Sequence, residues 1–133
     1  MGVYDLTKSN SVSLPTDYQS FIHVSRYARW IEEENRRETW EETVDRMVTY
    51  LKSKNKGLDK EFKEIREAVL NLEIMPSMRL MMSAGEACER DNIAAYNCSY
   101  LAINNKRAFS EALYILMNGT GVGFSCERQE ISK

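Results

Sequence analysis

The sequence predicts an α/β chain, in which a helical N-terminal region runs into one strand–helix–strand unit. Two observations predict it. From Thr39 to Leu72, apolar side chains recur at helical spacing. Beyond residue 92, "IAAYNCSYLAI" alternates like a strand, "AFSEALYILMN" is nearly all apolar like a buried helix, and "GVGFSCE" resumes as strand. The chain then divides into a loose lead-in over residues 1–14, a helical region over 15–92 and a strand-bearing region over 93–133.

Each element has its own local reason. The lead-in is rich in Ser and Asn. Pro15 suits a first helical turn, and Phe21, Val24 and Tyr27 follow at helical spacing. The charged run "EEENRRE" reads as a solvated bend. Thr39 with Glu42 fits a capping box, and Trp40, Val44, Met47, Val48 and Leu51 mark one face of the helix it opens. Asn55 and Gly57 stop that helix. Asp59 starts another, with Phe62, Ile65, Val69 and Leu72 inward, and Pro76 ends it. The two form an antiparallel pair. "SMRLMMSAG" reads as a short helix ending at Gly85, and "EACERDN" as a polar loop.

In the strand-bearing region, Tyr96, Cys98 and Tyr100 fall on one face of the first strand, with Asn97, Ser99 and Leu101 on the other. "NNKR" turns into the apolar helix, whose composition implies burial on more than one side, and Gly119 stops it. A strand, a helix and a strand in that order make a βαβ unit with a parallel pair. Parallel sheets are covered on both faces and need more than two strands, so the sheet is expected to continue with strands from elsewhere.

Composition narrows the function classes. Hydrophobic residues are 43% and charged residues 29%, an ordinary globular balance. A net charge of -2 gives no electrostatic case for nucleic acid or an anionic membrane. No apolar run reaches the roughly 18 residues of a membrane span. The opening "MGVYDLTKSNSVSLP" has no apolar signal core, and Leu6 breaks the myristoylation pattern. Three cysteines without a CxxC pair and a single histidine argue against zinc, so no metal is expected. Free thiols suit a reducing cytoplasm. The sequons at Asn97 and Asn118 are read as chance matches.

Few residues carry chemistry. Cys98 is either a small apolar core residue or a redox thiol facing a cleft, flanked by polar Asn97 and Ser99. No second cysteine or base stands at catalytic spacing from it. "GTGVG", Gly119 to Gly123, is no dinucleotide fingerprint, because helix precedes strand and the third glycine comes one residue early. It reads as a C-cap glycine with close backbone packing, or as a backbone surface for a sugar or phosphate. In "MPSMR", Ser77 is either a plain N-cap or, with Arg79, a phosphate contact at a helix start.

The segments "RYARW", "RRETWEETVDR", "LNLEIMPSMR", "AGEACERDNIAAYNCSYL" and "RAFSEALYILMNGTGVGFSCERQ" together resemble the N-terminal part of ribonucleotide reductases. They look most like the adenosylcobalamin-dependent (class II) ribonucleoside-triphosphate reductases, over about residues 18–130. The resemblance implies a ten-stranded α/β barrel preceded by a helical region, with this chain supplying the first βαβ unit. It implies radical reduction of a ribonucleotide to a deoxyribonucleotide. A thiyl radical removes the ribose 3′ hydrogen, and two further cysteines deliver electrons at C2′ and become a disulfide.

Carried over residue by residue, Cys98 matches the first of those two cysteines. Ser77 matches a hydroxyl that touches substrate phosphate, and Asn97 a polar residue lining the substrate pocket. Gly121 and Gly123 match a glycine turn whose backbone approaches substrate. "ERQEISK" begins the first loop for a deoxynucleotide effector. Cys88 and Cys126 match no catalytic position and are read as packing residues. The implied partners are a ribonucleoside di- or triphosphate, a thioredoxin-like reductant, and the C-terminal remainder of the barrel as a separate chain. The thiyl cysteine, the second reducing cysteine and most of the adenosylcobalamin surface have no counterpart here, so this chain is not expected to turn over alone. It is either one piece of a divided reductase or a segment of a longer one. The rival readings are a non-catalytic nucleotide-binding subunit and a purely structural module of the same fold.

Overall fold

The computed structural model describes residues 14–128. The chain forms two compact units, Met1–Gly85 and Glu86–Lys133. The first is helical with one small hairpin, and the second is built on a parallel pair of strands.

In the first unit, α1 (Asp17–Ile22) starts from a capping box in which Thr16 and Gln19 each accept from the other's backbone N–H. Thr16, not Pro15, is thus the residue that opens the helix. The chain then widens into a π-helical turn, His23–Tyr27, closed by the Ala28 amide donating to the His23 carbonyl at 3.0 Å. Of the residues at helical spacing, Phe21 is 64% exposed, and His23 is the buried residue of this segment. The run "EEENRRE" is more than a bend. It supplies the turn and second strand of a hairpin, in which β1 (Trp30–Ile31) and β2 (Arg36–Arg37) pair antiparallel. Asn35 takes φ 50 in its turn, a left-handed conformation that Asn tolerates. The many charges hide the hairpin because its ends are tied by side chains rather than by an apolar face. Arg36 grips Glu42 with two bonds of 2.7 Å, and Arg37 donates to the Ala28 carbonyl at 2.8 Å.

The Thr39–Glu42 capping box opens α2 (Trp40–Lys54), which packs on α3 (Asp59–Leu70). Asn55 caps the end of α2, and Gly57 takes φ 85 in the connection. The apolar faces meet as expected. Trp40, Val44, Met47, Val48, Phe62, Val69 and Leu70 form one buried cluster with Met81 and Ala84, and Leu51, Ile65 and Leu72 border it. Each large side chain sealed there contributes about 1.5–3 kcal/mol of transfer free energy. Met81 comes from α4 (Met78–Ser83), which Ser77 caps by accepting from the Leu80 amide at 3.1 Å.

In the second unit, "EACERDN" is not a loop. Residues Glu86–Arg90 form α5, with Glu86 and Glu89 early and Arg90 last, charges that complement the helix dipole. Cys88 is buried in it. Asp91 then caps a 3₁₀ turn, Asn92–Ala95, by accepting from the Ile93 amide at 3.0 Å. That turn holds the backbone a strand would need, so β3 starts late and spans Cys98–Ala102. Helix α6 (Arg107–Met117) crosses to β4 (Gly121–Ser125), and β3 and β4 pair in parallel. Contrary to its composition, α6 is covered on one side only. Ala108 is buried, whereas Phe109, Leu113 and Met117 are 65%, 59% and 78% exposed. Among the described residues, no helix is long and apolar enough to cross a membrane.

Candidate functional site

Parallel pairing makes the candidate site, because it sets one strand's residues beside the other's in fixed register. Cys98 stands opposite Gly121, Ser99 opposite Val122, and Tyr100 opposite Gly123. Alternation then gives one face to Cys98 and Tyr100, which are exposed, and the other to Ser99, which is partly covered. Two bonds pin the strand ends. The Gly121 amide donates to the Asn97 carbonyl at 2.9 Å, and the Ser99 hydroxyl donates to the Gly121 carbonyl at 3.1 Å. Four of the five site residues expected from sequence, Asn97, Cys98, Gly121 and Gly123, are therefore neighbours at the head of this sheet. Ser77 lies in the other unit, exposed, at the start of α4.

The two glycines are not in a turn, as expected, but within β4. The turn is made by Asn118 and Gly119, and Gly119 takes φ 81. Neither Gly121 nor Gly123 has such a backbone. A Cβ on Gly121 would come no nearer than 3.5 Å to the Asn97 carbonyl, and one on Gly123 no nearer than 3.7 Å to the Ser99 carbonyl. These are ordinary contacts, so nothing within the strand pair requires glycine there. The pair leaves a strip of bare backbone beside the Cys98 thiol and the Tyr100 ring.

Behind the strip sits Thr120, 1% exposed. Its hydroxyl lies 3.0 Å from the Ile93 carbonyl and 2.9 Å from the Tyr96 carbonyl. Nearby, the Tyr114 hydroxyl donates to Asp91. That bond holds the Asp91 carboxyl below the usual range and pushes the Tyr114 phenol up. Cys126 is not the packing residue its sequence context suggests: it is exposed, just after the last residue of β4. Of "ERQEISK", residues 129–133 lie outside the described residues, as does residue 1–13 of the lead-in. Among the described residues, no cluster of three or more His, Cys, Asp or Glu side chains is placed to hold a metal.

A second polar cluster, in the first unit, escaped the sequence reading. Glu38, Thr43 and His23 are all buried. Arg46 donates to both oxygens of Glu38 at 2.7 and 2.9 Å, and the Arg29 amide adds a third bond at 3.0 Å. Thr43 donates to Glu38 at 3.1 Å, and His23 Nε2 lies 2.9 Å from the Thr43 oxygen. Burial alone would raise the Glu38 carboxyl, but the Arg46, Arg29 and Thr43 donors outweigh it and hold it below its ordinary value. Burial pushes the His23 imidazole below its ordinary value; the Glu38 charge opposes this and the Arg46 charge adds to it. The visible clue was Thr43, a polar residue set among Trp40, Val44 and Met47 on the apolar face of α2. The cluster is a sealed structural clasp.

No curated protein matches the chain. Its structure is similar to the crystal structure of a B12-dependent (class II) ribonucleotide reductase, with a TM-score of 0.72 and 26% identity. That match covers 85% of this chain and 20% of the other, so the chain spans about a fifth of the length of its structural relative. The model of the ribonucleotide reductase alpha domain matches residues 4–86, the helical part. The chain belongs to the ribonucleotide reductase alpha-domain family.

Proposed function

We propose that this chain supplies one redox cysteine, Cys98, and part of the substrate pocket of a ribonucleotide reductase. The observation that carries this reading is the register of β3 and β4, which sets an exposed thiol beside two glycines that the strand pair does not itself require. A sugar lying on bare backbone comes nearer to the thiol than side chains there would let it. A strand-borne thiol is also held more firmly than one on a loop.

A thiyl radical carried elsewhere takes the 3′ hydrogen atom and later returns one. The C2′–OH bond breaks and the oxygen leaves as water. Cys98 and a second cysteine outside this chain give up two electrons and two protons, one proton leaving with the water and one ending at C2′. They finish as a disulfide, which a thioredoxin-like reductant reopens. Asn97 lines the pocket. Ser77 is proposed as a phosphate contact: its oxygen is used as a cap acceptor, which leaves its O–H to donate.

The proposed parent protein is a class II enzyme with adenosylcobalamin, a deoxynucleotide effector and a ten-stranded barrel, working in the cytoplasm, where thiols stay reduced. The residues described here do not fit the cobalamin. The one histidine, His23, is buried with Nε2 against Thr43, so it offers no imidazole to cobalt. The cofactor is therefore assigned to the rest of the enzyme, and no step is routed through this chain to it.

The test is Cys98→Ser in the complete reductase. Multiple turnover with the thioredoxin-like reductant should fall by about 100-fold or more, whereas Cys126→Ser should stay within about twofold of the parent. A Cys98→Ser enzyme that keeps turning over would remove Cys98 from the reaction.

A further inference from the structure

We propose that Thr120 is a positioning residue for Cys98, acting through the Ile93 and Tyr96 carbonyls between which its one hydroxyl proton is shared. The inference rests on the reading of Cys98 as the redox thiol, and the geometry adds what that reading lacks, a means of fixing the thiol. Cys98 is the first residue of β3, so only part of the ladder steadies it. Before it runs a 3₁₀ turn and two residues outside any regular element, Tyr96 and Asn97. The Asp91 cap and the Tyr96 amide, which donates to the Ile93 carbonyl at 3.0 Å, close the turn itself, so the exit through Tyr96 and Asn97 is the part left to be fixed.

Thr120 fixes it from across the sheet. The hydroxyl is buried and reaches Ile93, inside the turn, and Tyr96, at its exit, at 3.0 and 2.9 Å. The next residue along, Gly121, takes the Asn97 carbonyl at 2.9 Å and accepts from Ser99 at 3.1 Å. Residues 120 and 121 thus hold the backbone on both sides of Cys98 at four points: Ile93, Tyr96, Asn97 and Ser99. Three of these are backbone carbonyls, and of residues 120 and 121 it is Thr120, through its hydroxyl, that reaches upstream of Asn97. Removing it frees the Tyr96–Asn97 link to rotate and tilts the Cys98 side chain. In a reaction that needs near-attack geometry, a shift of about 1 Å at the thiol costs on the order of 100-fold.

Thr120→Val keeps the volume and removes the hydroxyl, and Thr120→Ser keeps the hydroxyl. In the complete reductase, Thr120→Val should lower kcat by about tenfold or more with KM changed less than about threefold, and Thr120→Ser should restore kcat to within about threefold. In this chain alone, alkylation followed by peptide mass spectrometry should show the Cys98 rate changed by about threefold or more in Thr120→Val and the Cys126 rate unchanged. If Thr120→Val does not fold, Thr120→Ala takes its place with the same expectations. Unchanged kcat and unchanged Cys98 labelling in the hydroxyl-free variant would overturn the positioning role. So would a serine variant as slow as the valine one. Failure of the underlying reading is read separately, as full multiple turnover by Cys98→Ser.

Discussion

Thr43 has one hydroxyl proton, and Glu38 takes it at 3.1 Å. The Thr43 oxygen is then left to accept, so His23 donates to it from Nε2 at 2.9 Å and is neutral with its proton on that nitrogen. The ring also meets Trp40 edge to face at 5.5 Å and is buried, which disfavours the charged imidazolium. This fixes the pH response. The folded pKa of His23 is depressed below 6.5, so below that pH the unfolded chain binds more protons than the folded one. Stability is complete above the unfolded value and is lost as pH falls. Between about pH 7.5 and about pH 5.5, denaturant titration should show falling stability, with a slope of at most about 1.4 kcal/mol per pH unit. His23→Gln should flatten that slope. The carboxylates contribute later. Glu42 is held at about 2, chiefly by the Arg36 guanidinium, and Glu38 is also lowered, so their contributions fade only as pH drops through the carboxylate range. A wild-type midpoint that rises as pH falls to 5.5 would contradict the neutral clasp.

The elements divide by the kind of signal that builds them. Helices α2 and α3 were legible because an apolar stripe specifies the period of each, and a capping box marks the start of α2. The parallel strand pair was legible from alternation around an apolar helix. What failed was set by side-chain bonds that leave no periodic trace: the β1–β2 hairpin tied by Arg36 and Arg37, and the Asp91 cap that delays β3. The misplaced turn at Gly121 shows how three glycines in one short run can differ in physical role. Gly119 needs its positive φ, so Gly119→Ala should cost about 1–2 kcal/mol. Gly121 has no such need, and Gly121→Ala should hold or raise stability by about 0.5 kcal/mol. If its bareness serves a substrate, the same alanine should lower kcat/KM of the complete reductase by about tenfold. Thermal melts and steady-state rates on both variants check the opposite signs, and a stable, fully active Gly121→Ala enzyme would leave that glycine without a role.

At the scale of the whole molecule, the two units carry different information. The family match lies on the helical unit, at residues 4–86, whereas the candidate thiol lies beyond it, on the strand pair. The site was legible to the extent that register alone assembles it. Cys98, Asn97, Gly121 and Gly123 are brought together by five paired positions, while nothing in a linear reading says where Ser77 stands relative to them. The apolar surface of α6, with Phe109, Leu113 and Met117 exposed, is more than a solvated helix ordinarily shows. The expectation of burial there was drawn from composition, which counts every covering surface a helix meets, whether or not this chain provides it.

The central claim is that the Cys98 sulfur gives up an electron when a ribonucleotide is reduced. The complete reductase is pre-reduced, freed of reductant, mixed with ribonucleotide, quenched with an alkylating agent and mapped by peptide mass spectrometry. The account predicts that Cys98 disappears from the alkylated pool in proportion to the deoxynucleotide formed and reappears as one half of a disulfide. Deoxynucleotide produced while Cys98 stays fully alkylated would contradict it.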